Sequence, residues 1–415
     1  MSHLRIRVAG AEHATTTVEL FFDLVYVFAV TQLAHAILDD PTLAGVARAA
    51  FLLVVVWWAW ISTTWMANWF EPRSPAVAAV LTGGMLASLL MAAALPAAFG
   101  ADGALFAAAY VALQVGRSAA AARLLARAHP LRDVFERLVA WSAASGALWL
   151  AGAALPGDRR LLLWIPALAI ELSAPYLRYW LPRRGCAATT DWDVEGGHFT
   201  ERCELFVIIA LGESIVVTGA TAAAAGLDTT TVAALALAFA QTAALWWLYF
   251  RGLAARSRET MRASADPGRL ARDAYTYLHV PIVAGIIAVA VGDDLLIAHP
   301  GAAPHGVGLA LTLGGPALYL AGEALFRLRI TGHVQTGRLA VAAVLVALLP
   351  IGAHVPALAL AAVVAALLGV AARSGRGWRD RPGAGPARRA RAPRQPRQHA
   401  VQRGAGARVA RIGVD

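Results

Sequence analysis

The sequence contains no lysine: all 36 basic residues among its 415 positions are arginine. A Walker A phosphate loop needs a lysine that reaches the nucleotide phosphates, and pyridoxal or retinal Schiff bases need a lysine amine. The absence of lysine therefore excludes an ATP-driven pump with a phosphate loop of its own, a pyridoxal enzyme and a retinal photoreceptor.

Cysteine is nearly absent as well. Cys186 and Cys203 lie in one region between apolar stretches, without C-x-x-C spacing or clustered histidines. A structural disulfide requires an oxidising compartment, and the topology derived below places both residues on the reducing side, so we expect free thiols. No H-E-x-x-H motif occurs either, and we expect neither a metal centre nor a cofactor.

Charged residues make up only 15% of the chain, against 59% apolar residues. They cluster in short patches between apolar stretches of about 20 residues, the length of a helix that crosses a bilayer. The sequence therefore predicts an all-α fold, a polytopic transmembrane helical bundle of about twelve spans. These spans are 18–38, 45–67, 76–99, 104–125, 138–155, 160–181, 204–224, 229–252, 274–297, 305–328, 338–353 and 355–372. The count becomes eleven if the segment from Pro350 to Pro356 kinks one helix rather than separating two.

Arginine placement gives the orientation, because cytoplasmic loops of membrane proteins carry the excess of basic residues. With twelve spans, 21 of the 24 arginines before residue 373 fall on the side of the N-terminus. We predict a protein of the cytoplasmic membrane with both termini cytoplasmic: an N-terminal segment at 1–17, a transmembrane domain at 18–372 and a tail at 373–415. The basic start and first apolar stretch imitate a secretory signal, but acidic residues interrupt that stretch, so we expect a retained first helix.

The tail differs abruptly in composition, being rich in arginine, proline, glycine, alanine and glutamine, and it contains twelve of the 36 arginines. Such a segment buries too little apolar surface to offset the entropy of ordering, so we predict disorder. Its functional interpretation is attachment to anionic lipid headgroups, at about 1 kcal/mol per arginine. The alternative is a solvated, dispensable extension, and we expect no nucleic-acid partner.

Three short matches indicate an internal repeat. Val18-Glu19-Leu20-Phe21 pairs with Cys203-Glu204-Leu205-Phe206, Trp57-Trp58 with Trp246-Trp247, and Glu71-Pro72 with Asp266-Pro267, at offsets of 185, 189 and 195 residues. Six spans in each half would give two parallel halves, 18–181 and 204–372, related by an axis along the membrane normal, as in some transporters. Chance is the competing explanation in a sequence of such biased composition.

Acidic residues at the start of two spans are the first candidate site. Carboxylates in lipid are costly and persist where they are paired, hydrated or used. Glu19 and Asp23 are four residues apart and share one face of the first helix. Acids in a first turn also suit the positive end of the helix dipole. That alternative explains Glu19, and Glu204 at the start of the seventh span, better than it explains Asp23.

Glu213 is predicted to lie deeper. It follows Glu204 by nine residues, about 13.5 Å along a helix axis, which places it near the middle of the membrane. We expect Gly212 to permit close helix packing and Ser214 to donate a hydrogen bond to the carboxylate. The competing interpretation is a protonated glutamate that only bonds a neighbouring helix. His279 is a candidate proton partner, although a lone histidine on an apolar helix is more often a packing residue.

Further polar and aromatic residues have weaker assignments. Glu171 and Glu323 are predicted to be interior, and Asp293 and Asp294 to lie at the outer end of the ninth span. Five tryptophans could line a pathway, but interfacial or packing roles are the stronger interpretation for them. They are Trp57, Trp58, Trp60, Trp65 and Trp69.

Longer motifs bear on identity. Gly212-Glu213-Ser214-Ile215-Val216 begins like a serine nucleophile motif but lacks the closing glycine, and we expect no enzyme. The segment Thr17–Leu33, reading TVELFFDLVYVFAVTQL, resembles the opening of the bacterial low temperature requirement protein A family, as do WWAW from Trp57, HFTERCELF from His198 and LGESI from Leu211. The resemblance covers about residues 10–370. It implies a multi-pass membrane protein named for a cold-growth phenotype, and it implies no catalytic residue.

These observations favour a proton- or cation-coupled secondary transporter. The alternatives are a non-transporting membrane sensor or assembly protein, and an intramembrane enzyme, which would need a nucleophile and a base in one cavity. The expected partners are the lipid bilayer and a small solute or ion. The predicted substrate- or ion-binding residues are Glu19, Asp23, Glu204, Glu213, Ser214 and His279.

Overall fold

The computed structural model describes residues 3–5, 14–187, 192, 194–251 and 254–374. These segments are helical, with short connections and no strand beyond two isolated bridges. The predicted tail lies outside the described residues from position 375 onward, and Arg7 lies outside them as well.

Fifteen α-helices follow one another along the described part of the chain. They are α1 (Thr17–Asp39), α2 (Leu43–Trp69), α3 (Pro75–Ala94), α4 (Gly103–Leu124), α5 (Pro130–Ala153), α6 (Leu161–Ser173), α7 (Gly196–Ala225), α8 (Thr229–Phe250), α9 (Ala254–Ala263), α10 (Pro267–Leu270), α11 (His279–Ala298), α12 (Gly306–Thr331), α13 (Thr336–Ala347), α14 (Leu349–Gly352) and α15 (Ala357–Ser374). A 3-10 turn, Gly157–Arg160, precedes α6, and a π-helical segment, Ala271–Tyr277, connects α10 to α11.

In the part of the chain that the structure describes, eight helical segments are long and apolar enough to cross a membrane: α1, α2, α3, α4, α7, α8, the continuous stretch Pro267–Ala298 and α12. The prediction of an all-α polytopic membrane bundle is confirmed. The other four predicted spans correspond to α5, to α6, to α13 and α14 together, and to α15. These helices are shorter or more polar. The count of twelve spans therefore stays a prediction.

Apolar side chains cover the outside of the bundle as well as its inside. Phe21 and Leu24 on α1 are 59% and 61% exposed, although the opposite face of α1 is buried. In water such exposure would be unfavourable, whereas a lipid environment accommodates it. The pattern agrees with a bundle surrounded by hydrocarbon.

Helix α11 lies at the centre, in contact with α1, α2, α7, α8 and α12. Its approach to α12 depends on glycine: a Cβ at Gly285 would lie 2.6 Å from the backbone nitrogen of Tyr319. Small residues at helix contacts let two backbones come close together in membranes, where packing rather than the hydrophobic effect holds helices together.

Helix α7 begins at Gly196, eight residues before the predicted start of the seventh span at 204. The intervening turns stay helical because His198 and Arg202 find buried acidic partners on α1, as described below. Glu204 is consequently not a first-turn residue, and the helix-dipole explanation for it is wrong.

Candidate functional site

Glu19 is anchored at the start of α1 by a capping box. The backbone N–H of Thr16 donates to Glu19 Oε2 at 2.9 Å, and the Thr16 hydroxyl donates to the same oxygen at 2.8 Å. A capping box satisfies backbone donors that a helix start otherwise leaves open. A local role at the helix start therefore accounts for one of the two carboxylate oxygens.

The second oxygen, Oε1, faces the bundle interior. Arg5 Nη2 donates to it at 3.0 Å, and His198 Nε2 on α7 contacts it at 2.7 Å. Asn68 at the end of α2 contacts the other imidazole nitrogen, Nδ1, at 3.2 Å. All four side chains are buried. The cluster joins the segment before α1 to the end of α2 and the start of α7.

Asp23 lies one turn further along α1 and has its own cation. Arg202 on α7 donates two hydrogen bonds to the carboxylate, one to each oxygen and both at 2.8 Å. Trp60 Nε1 on α2 donates to Oδ1 at 2.8 Å. The bidentate geometry fixes both side chains, which are at most 4% exposed. Asp23 and Glu19 thus connect the same three helices at successive turns.

Glu204 is separate from this cluster. It pairs with Arg258 on α9, which donates from Nη2 to Oε2 at 2.6 Å and from Nε to Oε1 at 3.3 Å. The Arg258 side chain is 40% exposed, so the pair lies at the edge of the bundle. The structure therefore does not bring Glu204 to Glu19 and Asp23.

Glu213 faces α1 and has no cationic partner among the described residues. Thr31 Oγ1 donates to Glu213 Oε2 at 2.5 Å, and Glu213 Oε1 is buried without a hydrogen-bond partner in the described part of the chain. The hydroxyl of Ser214 has no partner there either, so the predicted bond to Glu213 does not form. The prediction that Gly212 permits close packing is wrong, because a Cβ there would meet no atom within 4 Å.

Two more carboxylates lie on α11. Asp294 accepts a hydrogen bond from Thr221, which is eight residues beyond Glu213 on α7, and Asp293 accepts one from Gln241 Nε2 on α8 at 2.7 Å. Asp293 Oδ2 is buried and has no hydrogen-bond partner among the described residues. His35 on α1 is exposed and lies within electrostatic range of Glu213 and Asp294.

His279 is enclosed by aromatic rings rather than by acids. Its Nε2 contacts the Tyr249 hydroxyl at 2.8 Å, and its Nδ1 contacts the carbonyl of Ala274 at 3.3 Å. Trp57 stacks on the imidazole at 6.1 Å between ring centres, and Tyr275 stacks on it at 5.2 Å. These contacts favour the packing interpretation of His279, and the structure does not bring it to Glu213.

Glu171 and Glu323 are buried, as predicted. Glu171 accepts hydrogen bonds from the neutral donors Tyr110, Ser145 and Trp149. Glu323 instead pairs with two arginines of the same region, Arg327 and Arg338. Among the described residues, no group of three or more histidine, cysteine or acidic side chains is arranged to hold a metal ion.

The sequence interpretation missed the cationic half of the site. Arg5 and Arg202 neutralise the two acids of α1, His198 bonds Glu19, and Thr31 is the partner of Glu213. One signal was available: His198 and Arg202 are four residues apart, as Glu19 and Asp23 are, so each pair shares one helical face. Arg5 and Thr31 gave no comparable signal.

Comparison with known proteins agrees with this architecture. The sequence pattern of the bacterial low temperature requirement A protein family matches residues 14–372. The protein named "Uncharacterized protein RA0937" of Rhizobium meliloti (strain 1021) is 39% identical over 319 residues, which cover 76% of this chain and 77% of that protein. No solved structure matches. The chain therefore belongs to the bacterial low temperature requirement A protein family.

Proposed function

We propose that the protein is a secondary transporter coupled to protons or another cation, and that Glu213 is the group that exchanges the proton. The proposal depends chiefly on one observation: Glu213 is a buried carboxyl whose only hydrogen-bond partner is a neutral hydroxyl, while its second oxygen has none in the described part of the chain. In the membrane interior such a group marks an ion or proton pathway more often than a packing site.

Polar groups follow the contact between α1 and α7 through the bundle. Glu19 and Asp23 occupy its arginine-rich end. Thr31, which contacts Glu213, lies eight residues beyond Asp23 on α1, about 12 Å further along the helix axis. Asp294 continues the series on the outer side. The Arg202–Asp23 and His198–Glu19 contacts hold the two helices together, whereas no cation among the described residues pairs with Glu213.

Thr31 gives Glu213 two hydrogen-bonding states. The Thr31 hydroxyl has a single hydrogen and two acceptors in reach, Glu213 Oε2 at 2.5 Å and the carbonyl of Val27 at 3.2 Å. When Glu213 is ionised, the hydroxyl donates to the carboxylate. When Glu213 is protonated, it donates to Thr31, which then donates to Val27. Both protonation states are therefore accommodated without moving a helix.

The experiment uses vesicles that contain the purified full-length protein and a pH-sensitive dye inside. An untargeted comparison of solutes taken up by these vesicles and by empty vesicles identifies the transported compound. Uptake is then followed together with internal pH. We expect Glu213→Gln, which keeps the shape of the side chain but cannot titrate, to abolish solute-coupled proton movement while thermal unfolding is unchanged.

Glu136→Gln is the matched control, because it removes an acid of the same type on the surface at the start of α5. That variant should keep full coupling. Full pH-dependent uptake by folded Glu213→Gln protein would show that Glu213 is structural. Vesicles in which the wild-type protein moves neither solute nor protons would favour the sensor or assembly function instead.

A further inference from the structure

An apolar groove runs along the side of the bundle, in the half of the molecule that lies away from the arginine-rich end. Its walls are the first turns of α2 and of α12, and its floor is formed by α1 and α11, which contact each other. The groove has a volume of about 260 Å³. Every residue that the structure places around it is apolar or a glycine, and none of the acids described above lines it.

The groove extends from the rim of the membrane-spanning region to about its middle. On α2 it reaches from Leu43 to Leu53, and on α12 from Val307 to Leu318. About ten residues of each helix correspond to about 15 Å along the helix axis. The hydrocarbon of one leaflet is also about 15 Å thick, half of the bilayer core. The groove therefore has the length of one leaflet.

Small residues on α11 and α12 create the space. Gly314 and Ala310 line the groove on α12, and Ala288 lines it on α11. A Cβ at Gly314 would meet no atom within 4 Å. At the adjacent Gly315, by contrast, a Cβ would lie 3.0 Å from the backbone nitrogen of Val289. Gly315 thus serves the contact between α11 and α12, whereas Gly314 faces open space.

The mouth of the groove is continuous with the surface that faces lipid. At its rim, Leu43 and Leu318 are 80% and 41% exposed. In its floor, Leu33 and Ile287 are at most 3% exposed. An apolar cavity stays dry, and atoms that line an empty space lose their van der Waals contacts on that side. The hydrocarbon chains around the bundle are the material that can fill it.

The volume of the groove suits one hydrocarbon chain. An apolar cavity of about 150 Å³ inside a protein binds one benzene molecule. By the same proportion, 260 Å³ holds about ten carbon atoms. This is enough for the part of one acyl chain that crosses a leaflet, and too little for both chains of a phospholipid.

We propose that this groove is a lipid-binding site, which holds one acyl chain of a phospholipid from the leaflet opposite the arginine-rich end. The headgroup end of the chain lies at the rim, near Leu43 and Val307, and the middle of the chain lies deeper, near Leu53. Protein surrounds the chain on three sides, so it makes more van der Waals contacts than a chain on the outside of the bundle. The site does not depend on proton exchange at Glu213.

The test uses the full-length protein in liposomes of phosphatidylcholine. A small fraction of the lipid carries a photoreactive diazirine on one acyl chain, either close to the headgroup or at the middle of the chain. After illumination, peptide mass spectrometry locates the labelled residues. We expect the first probe to label 43–46 and 307–310, and the second probe to label 50–53 and 314–318.

The labelling of the groove should exceed that of the lipid-facing side of α3 by at least about threefold, because the chain in the groove stays longer than a chain outside. Labelling of the groove no stronger than that of α3 would overturn the proposal. So would labelling of the same residues by both probes, since a chain parallel to α2 and α12 separates the two depths.

Variants that fill the groove identify the site. Gly314→Leu should reduce labelling of the groove by the second probe at least about threefold, because its side chain occupies the space of the acyl chain. Gly83→Leu on α3 is the matched control: Gly83 is exposed, and a Cβ there also meets nothing within 4 Å. It should leave labelling of the groove unchanged. Ala310→Leu decides the matter if Gly314→Leu does not fold. Undiminished labelling of a folded, filled variant would overturn the assignment.

A second pair of probes separates the chain from the headgroup as the recognised part. The residues that the structure places around the groove carry no charge to bind a headgroup. We therefore expect phosphatidylglycerol probes to label the groove within about twofold of phosphatidylcholine probes with the same chains. Labelling by the phosphatidylglycerol probes alone would show that a headgroup is recognised, and it would overturn the assignment to an acyl chain.

Discussion

The buried acids of this protein are of two kinds, distinguished by what faces them. Glu19, Asp23 and Glu323 each contact an arginine, so they can stay ionised inside the bundle. Glu171 and Glu213 are held by neutral donors alone among the described residues. Burial without a cation favours the protonated acid, so our proposal of proton exchange concerns the second kind.

The Arg202–Asp23 pair should be a strong stabiliser only while both partners are present. Arg202→Gln leaves Asp23 buried without its cation, and we expect a loss of about 3–5 kcal/mol in the free energy of unfolding. Adding Asp23→Asn should recover part of the lost free energy of unfolding, because no buried carboxylate is then left without a cation. Thermal unfolding in detergent measures both variants. A double variant as unstable as the sum of the two single ones would contradict the coupling.

A cluster of surface charges at the start of α5 should respond to acid. Hydrogen bonds from Arg132 and Arg184 hold the pKa of Glu136 below its ordinary value. Burial raises the pKa of Asp133, but hydrogen bonds from Arg137 and Arg184 outweigh it, and the net pKa is lowered. Carboxyls with lowered pKa stabilise the fold above their unfolded pKa of about 4, and that contribution disappears as pH falls through the folded pKa.

Arg184 lies in the turn after α6, so acidification should loosen that turn from α5. We expect the backbone hydrogen-exchange protection factors of residues 181–185, which are taken relative to the intrinsic rate at each pH, to fall below about pH 4, with a small amplitude because these groups are exposed. The variant with both Asp133→Asn and Glu136→Gln should show low protection factors at every pH. If hydrogen-exchange protection of residues 181–185 changed with pH by the same amount in that variant, the assignment would be refuted.

At the scale of elements, the contact between α11 and α12 depends on a glycine. Gly285→Ala places a Cβ against the backbone of Tyr319, where only a helix shift can relieve the overlap. We expect a loss of about 1–3 kcal/mol in thermal unfolding. Gly314→Ala is the matched control on α12, since a Cβ there meets nothing within 4 Å, and it should be neutral or stabilising. Equal stability of the two variants would contradict this packing.

At the scale of the whole molecule, the order of helix contacts supports the proposal of two parallel halves. In the first part, α1 packs on α2 and α3, α3 on α4, α4 on α5, and α5 on α6. In the second, α7 packs on α8 and α11, α11 on α12, α12 on α13, and α13 on α15. The two series run in the same order, as a duplicated six-helix unit would. The tryptophan pairs do not match in environment, since Trp57 is buried and Trp246 is 46% exposed.

Orientation is testable with single cysteines in a variant where Cys186 and Cys203 are replaced by serine. Arg127 and Arg159 are both exposed, at opposite ends of the bundle. In intact cells we expect an impermeant maleimide to label Arg159→Cys and to leave Arg127→Cys unlabelled, because the proposed topology places the arginine-rich end on the cytoplasmic side. After the membrane is opened, both should react. The reverse pattern in intact cells would invert the proposed topology.

Much of the architecture was predictable because it depends on properties that are local in the sequence. Apolar runs of bilayer length determine where helices form, and in lipid a helix is the way an isolated segment satisfies its own backbone. The burial of Glu19, Asp23, Glu213, Glu171 and Glu323 followed in the same way, since each lies in such a run. Even the turn between α14 and α15 was marked in the sequence, by Pro350 and Pro356.

What faces each acid was decided only by the tertiary structure. Nothing local pairs Arg202 with Asp23 across 179 residues, or Thr31 with Glu213 across 182. The same holds for Arg117 on α4, which is buried and donates to Thr63 on α2 across 54 residues. The sequence by itself determined that the chain forms helices in a membrane and that acids lie inside. Which of those acids is neutralised and which can exchange a proton depends on helix packing, because a charge inside a bundle is stabilised by partners that only the folded arrangement brings within reach.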